Sequence, residues 1–147
     1  MFGLQKFFLL SLLALLFTQN TKQELNDQLF EAVKKGDPAA VTALLDKGAD
    51  VNAKYRYGQT ALFKACEKGH AAVVKVLLDR GVDVSVKDTF YGSTALSWAI
   101  QNDHADVVRL LLEKDAGSVD EVLISGVRSG NEEMTKAALD KGGAKPQ

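Results

Sequence analysis

The chain has 147 residues, 46% of them hydrophobic and 25% charged, and a formal net charge of -1. This is ordinary for a soluble globular protein, with enough apolar side chains to build a core without disulfides or metal. The near-neutral balance, with no block of like charge, argues against a nucleic-acid binder, which needs a basic patch to neutralise phosphates. Cys66 is the only cysteine, so an internal disulfide is impossible, and a lone cysteine argues strongly against a cysteine-ligated zinc site.

The first twenty residues differ from the rest. Phe7 to Phe17 reads FFLLSLLALLF, preceded by Lys6 and followed by polar Thr18 to Gln23. A basic start, apolar centre and polar exit are the layout of a secretory signal peptide. The run is short of the ~20 apolar residues that span a bilayer. No small-x-small pair follows it; the candidates near Thr18 and Asn20 are poor. Residues 1–20 are therefore expected to be a cleaved signal peptide. An uncleaved anchor and a helix of the fold are the alternatives, the last opposed by the run's lack of a polar face.

Beyond the leader the chain repeats. Gly58 to Gly81 and Gly92 to Asp115 align at an offset of 34 residues, with 11 of 24 positions identical. Thr-Ala-Leu opens each copy. His70 matches His104, Val73-Val74 match Val107-Val108, and Leu77-Leu78 match Leu111-Leu112. In the first copy Ala61, Leu62, Ala65 and Cys66 recur at helical spacing until Gly69, and Val73, Val74, Leu77 and Leu78 form a second stripe that ends at Gly81. Helices this short are unstable alone in water, so stacked hairpins must supply their stability.

These residues resemble the ankyrin repeat, whose pattern is carried by Gly58, Thr60, Leu62, Ala65, Gly69-His70, Val73-Val74, Leu77-Leu78 and Gly81-Val82-Asp83-Val84. Gly48-Ala49-Asp50-Val51-Asn52 repeats the ending. The resemblance implies an all-α solenoid of about four helix-turn-helix units with short β-hairpin fingers over residues 24–144. The units are an N-terminal cap at 24–57, repeats at 58–91 and 92–118, and a C-terminal cap at 119–144. Two departures stand out. Phe63 and Ser97 replace the histidine of Thr-Pro-Leu-His, so the hydrogen bonds of that imidazole are lost. Asp115 to Asp120 replaces the expected Gly-Ala-Asp-Val-Asn and is about six residues short, so no full finger is expected there.

Several residues invite a chemical reading. His70 and His104 lie one repeat apart, about 10 Å for stacked helices, too far to share a metal ion. The resemblance makes them turn-fixing scaffold. Asp50 and Asp83 sit at turns, where carboxylates bond nearby backbone N–H groups. Cys66 falls at a small core position. No phosphate loop, nucleophile elbow or Cys-x-x-Cys is present. No enzyme activity, cofactor, metal or small-molecule substrate is expected.

The candidate contact residues lie at the finger tips and on the first helices. The tips are Tyr55-Arg56-Tyr57 and Thr89-Phe90-Tyr91. Gln59 and Ser93 follow the first glycine of each repeat, and Lys34, Lys35, Glu67, Lys68, Gln101 and Asn102 end the first helices. Tyrosine and arginine are the residue types that most often anchor interfaces. The tip aromatics either bind a partner or stack along the fingers. Trp98 either packs on its neighbour or joins the contact. The chain is similar to small bacterial exported ankyrin-repeat proteins. It is thus expected to be an exported, periplasmic or secreted monomer that binds one protein partner. An inhibitor or immunity protein against a toxic effector is one version, and a scaffold anchored through residues 7–17 is the rival.

Overall fold

A computed structural model describes residues 3–143. Met1, Phe2, Ala144 (the last residue of the expected C-terminal cap) and the tail to Gln147 lie outside the described residues, as do the side chains at Thr18 and Asn20. The described residues form eight α-helices and a 3-10 turn: α1 (Gly3–Lys35), α2 (Pro38–Asp46), the turn Arg56–Gly58, α3 (Ala61–Lys68), α4 (Ala71–Asp79), α5 (Ala95–Gln101), α6 (Ala105–Glu113), α7 (Val119–Ser129) and α8 (Glu132–Gly142).

The helices pair as the apolar spacing requires. Helices α1, α3 and α5 pack in one row and α2, α4, α6 and α8 in a second behind it, with each pair closed by a short turn. The first row buries alanines and a few larger residues (Leu29, Ala32, Ala61, Ala65, Ala95, Ala99), which permits close approach, and the second fills the space behind with Val41, Val73, Leu77, Val107 and Leu111. Truncating a buried leucine such as Leu77 to alanine costs about 2–5 kcal/mol.

Local sequence starts and stops the helices. Asp37 accepts from the Ala40 N–H at 3.0 Å, with Pro38 in the first turn of α2, and Asn131 accepts from Met134 at 3.0 Å. Gly69 and Gly130 end α3 and α7 in the left-handed region. Asp103 and Asp115 replace Gly69 and Gly81 in the next copy, yet keep that conformation at φ 57° and 53°.

The departures at Phe63 and Ser97 have opposite consequences. Thr94 caps α5 by accepting from the Ser97 N–H at 3.2 Å, and its hydroxyl also contacts the Ser97 hydroxyl at 3.1 Å. With Phe63 in place of a polar residue, the fully buried Thr60 hydroxyl has no partner among the described residues. An orphaned buried hydroxyl costs about 1–3 kcal/mol of desolvation. Thr60→Val should therefore leave stability unchanged or raise it by about 1 kcal/mol, whereas Thr94→Val should lower it by about 1 kcal/mol. Denaturant titration of the two variants checks the difference in sign.

Two features differ from the sequence expectations. The fingers contain no strand among the described residues. Each is closed by a backbone bond of its own, from Tyr55 N–H to the Gln59 carbonyl at 2.8 Å and from Asp88 N–H to the Ser93 carbonyl at 2.9 Å. Left-handed Tyr57 (φ 59°) interrupts the extended backbone that a ladder needs. The helix that opens the first unit also reaches back to Gly3. Residues 5–16 on it are exposed, with Phe7 and Phe8 each 76% accessible, and among the described side chains Leu25 is the first to pack against the core. No helix among the described residues is long and apolar enough to cross a membrane.

Candidate functional site

Side-chain amides join the repeats beneath the fingers. Asn26 Oδ1 accepts from the Asp50 N–H at 2.7 Å, and Asn52 Oδ1 accepts from Asp83 at 2.7 Å. The Asp50 carboxylate takes the Asn52 N–H, and Asp83 takes both the Ser85 N–H and its hydroxyl. The Ser85 bonds hold the Asp83 pKa below the usual carboxylate range. Both aspartates thus do the turn work that their positions imply.

The histidines work across the repeat boundary. His70 Nε2 lies 3.2 Å from the Lys34 carbonyl and His104 Nε2 3.0 Å from the Glu67 carbonyl, each reaching the last turn of the preceding first helix. Cys66 is buried, and desolvation pushes its thiol pKa up, away from reactive thiolate. No group of three or more metal-ligating side chains occurs among the described residues.

The aromatic tips divide. Tyr55 turns back onto α1, stacks on Phe30 at 4.3 Å and donates its hydroxyl to the Asn26 carbonyl at 2.5 Å. Burial, aided by Asp27 and Asp50, raises its pKa to about 12. Tyr55 therefore packs on the first helix, the stacking alternative of the two open to the tip aromatics. The other aromatics form a line. Tyr57 lies 5.4 Å from Phe90, Phe90 meets Tyr91 edge-on at 4.5 Å, and Tyr91 lies 6.4 Å from Trp98. Arg56 stacks over the Tyr57 ring at 4.8 Å. A backbone bond from Thr89 N–H to the Tyr57 carbonyl at 2.9 Å fastens the second tip to the first.

This line borders an open cleft of about 350 Å³ lined by Tyr57, Phe90, Tyr91 and Trp98 together with Gln59, Lys64 and Glu67. Six residues singled out in the sequence thus meet in one place, joined by Lys64. The rest serve elsewhere. Ser93 closes the second finger through its carbonyl, Asn102 donates from its amide to the Trp98 carbonyl at 2.8 Å, and Lys68 is exposed at the end of α3. Gln101 lines a separate cleft of about 310 Å³ between α5 and α7, with Ile100, Ile124 and Arg128. The shortened connection sets α7 apart from α5 there, and Ser97 bridges the gap to Glu121 at 3.1 Å.

Asp88 is the residue that sequence reasoning missed. It is 2% exposed and organises the tip. Oδ1 accepts from the Phe90 and Tyr91 N–H groups at 2.9 and 2.6 Å, and Oδ2 accepts from the Trp98 indole at 3.0 Å. The available signal was an aspartate just before Thr-Phe-Tyr-Gly, the side chain that bonds the backbone two residues on. Burial alone raises its pKa, but the bonds from Tyr91, Trp98, Phe90 and Ser93 outweigh it, and the net shift is downward from 3.8. The stabilisation it gives is complete above the unfolded value and is lost as pH falls through the lower folded value. Trp98 is the only tryptophan, so its emission reports this bond. The emission should stay constant from neutral pH to about 4 and change only below that, whereas Asp88→Asn should show the change already at neutral pH.

A family model for ankyrin repeats (3 copies) matches residues 29–122, more than half of the chain. The match stops at Val122, early in α7, where the shortened connection has broken the pattern. No curated protein matches the chain. The inter-repeat amide ladder, the paired helices and the family match agree, and the chain belongs to the ankyrin-repeat family.

Proposed function

We propose that the chain is a non-enzymatic binding module, exported from the cell, that holds one protein partner in the cleft between its finger tips and first helices. Ankyrin repeats are generally protein-protein interaction modules. One observation carries the assignment to this cleft: Tyr57, Phe90 and Tyr91 stand 43, 63 and 71% exposed in a continuous line, although aromatics normally bury their area. The core does not use these rings. Export is supported by the apolar run, whose Phe7 to Leu16 side chains do no work in the repeat core. An anchored form is favoured by the unbroken helix that joins the run to the first unit. Co-purification from the native envelope fraction, with sequencing of the mature N-terminus, tests both. A mature chain beginning between residues 18 and 24 supports cleavage and keeps Leu25, the first of the described side chains that packs on the core. An intact Met1 supports the anchor. Recovery in the cytosolic fraction alone overturns export.

A further inference from the structure

We propose that the aromatic cleft takes an arginine side chain of the partner, a deepening that rests on the cleft being the binding site. The Trp98 indole N–H is committed to Asp88, and the Lys64 ammonium is paired with Glu67 through Oε2. Glu67 Oε1, the Gln59 amide and the Tyr57 and Tyr91 hydroxyls have no protein partner among the described residues. The Gln59 amide and the two hydroxyls can donate or accept, whereas Glu67 Oε1 is anionic and can only accept. A guanidinium carries five donors and no acceptor.

Charge and shape agree. Asp88 meets the Trp98 indole at its N–H edge, and Glu67 brings a carboxylate into the lining with one oxygen unpaired, with Lys64 as the one cation of the lining. An indole that donates to a carboxylate gains electron density on its face, which strengthens its attraction for a cation. The same finger already displays the geometry, with Arg56 stacked over Tyr57 at 4.8 Å. An apolar anchor would fill the cleft but bury Glu67 and Gln59 without new bonds. An ammonium is more strongly hydrated and lacks the planar face that stacks on rings.

Trp98 emission again gives the readout. The full chain is titrated at low salt with N-acetyl-arginine amide, N-acetyl-lysine amide and N-acetyl-leucine amide. The arginine amide should give a saturable change, weakened about tenfold by Glu67→Gln at unchanged thermal midpoint and weakened by added salt. The leucine amide should give little change, and the lysine amide a weaker one. An equal or stronger response to leucine amide, or an arginine titration indifferent to Glu67→Gln, overturns the proposal. Failure of the broader reading looks different. If the chain with Tyr57, Phe90 and Tyr91 replaced by alanine keeps its co-purifying protein, the cleft is not the binding site and both readings fall. If it loses that protein while the arginine amide does not bind, the cleft stands and its occupant is not arginine.

Discussion

Gly69→Ala should destabilise the protein by about 3 kcal/mol and lower the thermal midpoint by roughly 10 °C. Two effects combine. Gly69 has φ +72°, a region that costs an alanine about 1–2 kcal/mol. The added Cβ would also stand 2.5 Å from His104 Nδ1. The imidazole cannot step aside freely, because its Nε2 is held at the Glu67 carbonyl 3.0 Å away. Displacing the ring forfeits that bond, about 1 kcal/mol, together with its packing. Gly81→Ala is the control: φ is +74°, but nothing lies within 4 Å of the added Cβ, so only the backbone term of about 1–2 kcal/mol applies. Equal losses at the two glycines would sink the contact argument. Combining Gly69→Ala with His104→Ala should cost less than the sum of the singles, by about 1 kcal/mol, since both changes remove the same contact.

The same pair explains a difference between the repeats. Gly36 faces His70 and Gly69 faces His104, each with the ring atoms within 3.0 Å of an added Cβ. At the next boundary Asp103 stands where the glycine was, and α8 begins after Asn131 instead of a histidine, with its amide 3.5 Å from Asp103. Where no imidazole lies against the turn, a side chain is tolerated at positive φ. Gly69-His70 reads in sequence as one local motif. Its physical content is two contacts, each made with a neighbouring unit.

That distinction marks how far the sequence is legible. Helical spacing and the 34-residue offset locate the hairpins, because burial of a face imposes a period on the residues themselves. The shortened connection between α6 and α7 is legible for the same reason, as a loss of pattern. The orientation of the tips is not. Tyr55 and Tyr57, two residues apart, would share one face of a strand. Instead Tyr57 takes φ 59° within a 3-10 turn, so Tyr55 stacks on Phe30 while Tyr57 joins Phe90 in the cleft wall. A single residue in the left-handed region separates a packing ring from a surface ring, and tyrosine gives no sign of adopting it. Asp88 escaped notice because its value lies in the indole that it meets ten residues later.

Replacing Tyr57, Phe90 and Tyr91 together with alanine should abolish recovery of the protein that co-purifies with the chain, while lowering the thermal midpoint by less than about 5 °C. Aromatic anchors at interface centres are worth about 2 kcal/mol each or more, without strict additivity, so the triple change should weaken binding by about a thousandfold. The rings give the fold much less. Phe90 and Tyr91 are 63 and 71% exposed, which keeps each of their three ring-ring contacts at the low end of the usual range, about 0.5 kcal/mol. Alanine at Tyr57 adds no new backbone strain, since tyrosine already bears the same φ. Tyr55→Ala should show the reverse pattern. It removes the Phe30 stack and the bond to the Asn26 carbonyl, so the midpoint should fall by about the cost of a buried aromatic, roughly 3 kcal/mol, with recovery of the partner retained below that midpoint. A triple variant that melts early, or one that still holds its partner, would return the surface rings to the packing role that Tyr55 has. Loss of binding with stability kept, set beside loss of stability with binding kept in Tyr55→Ala, separates the two functions within one three-residue tip.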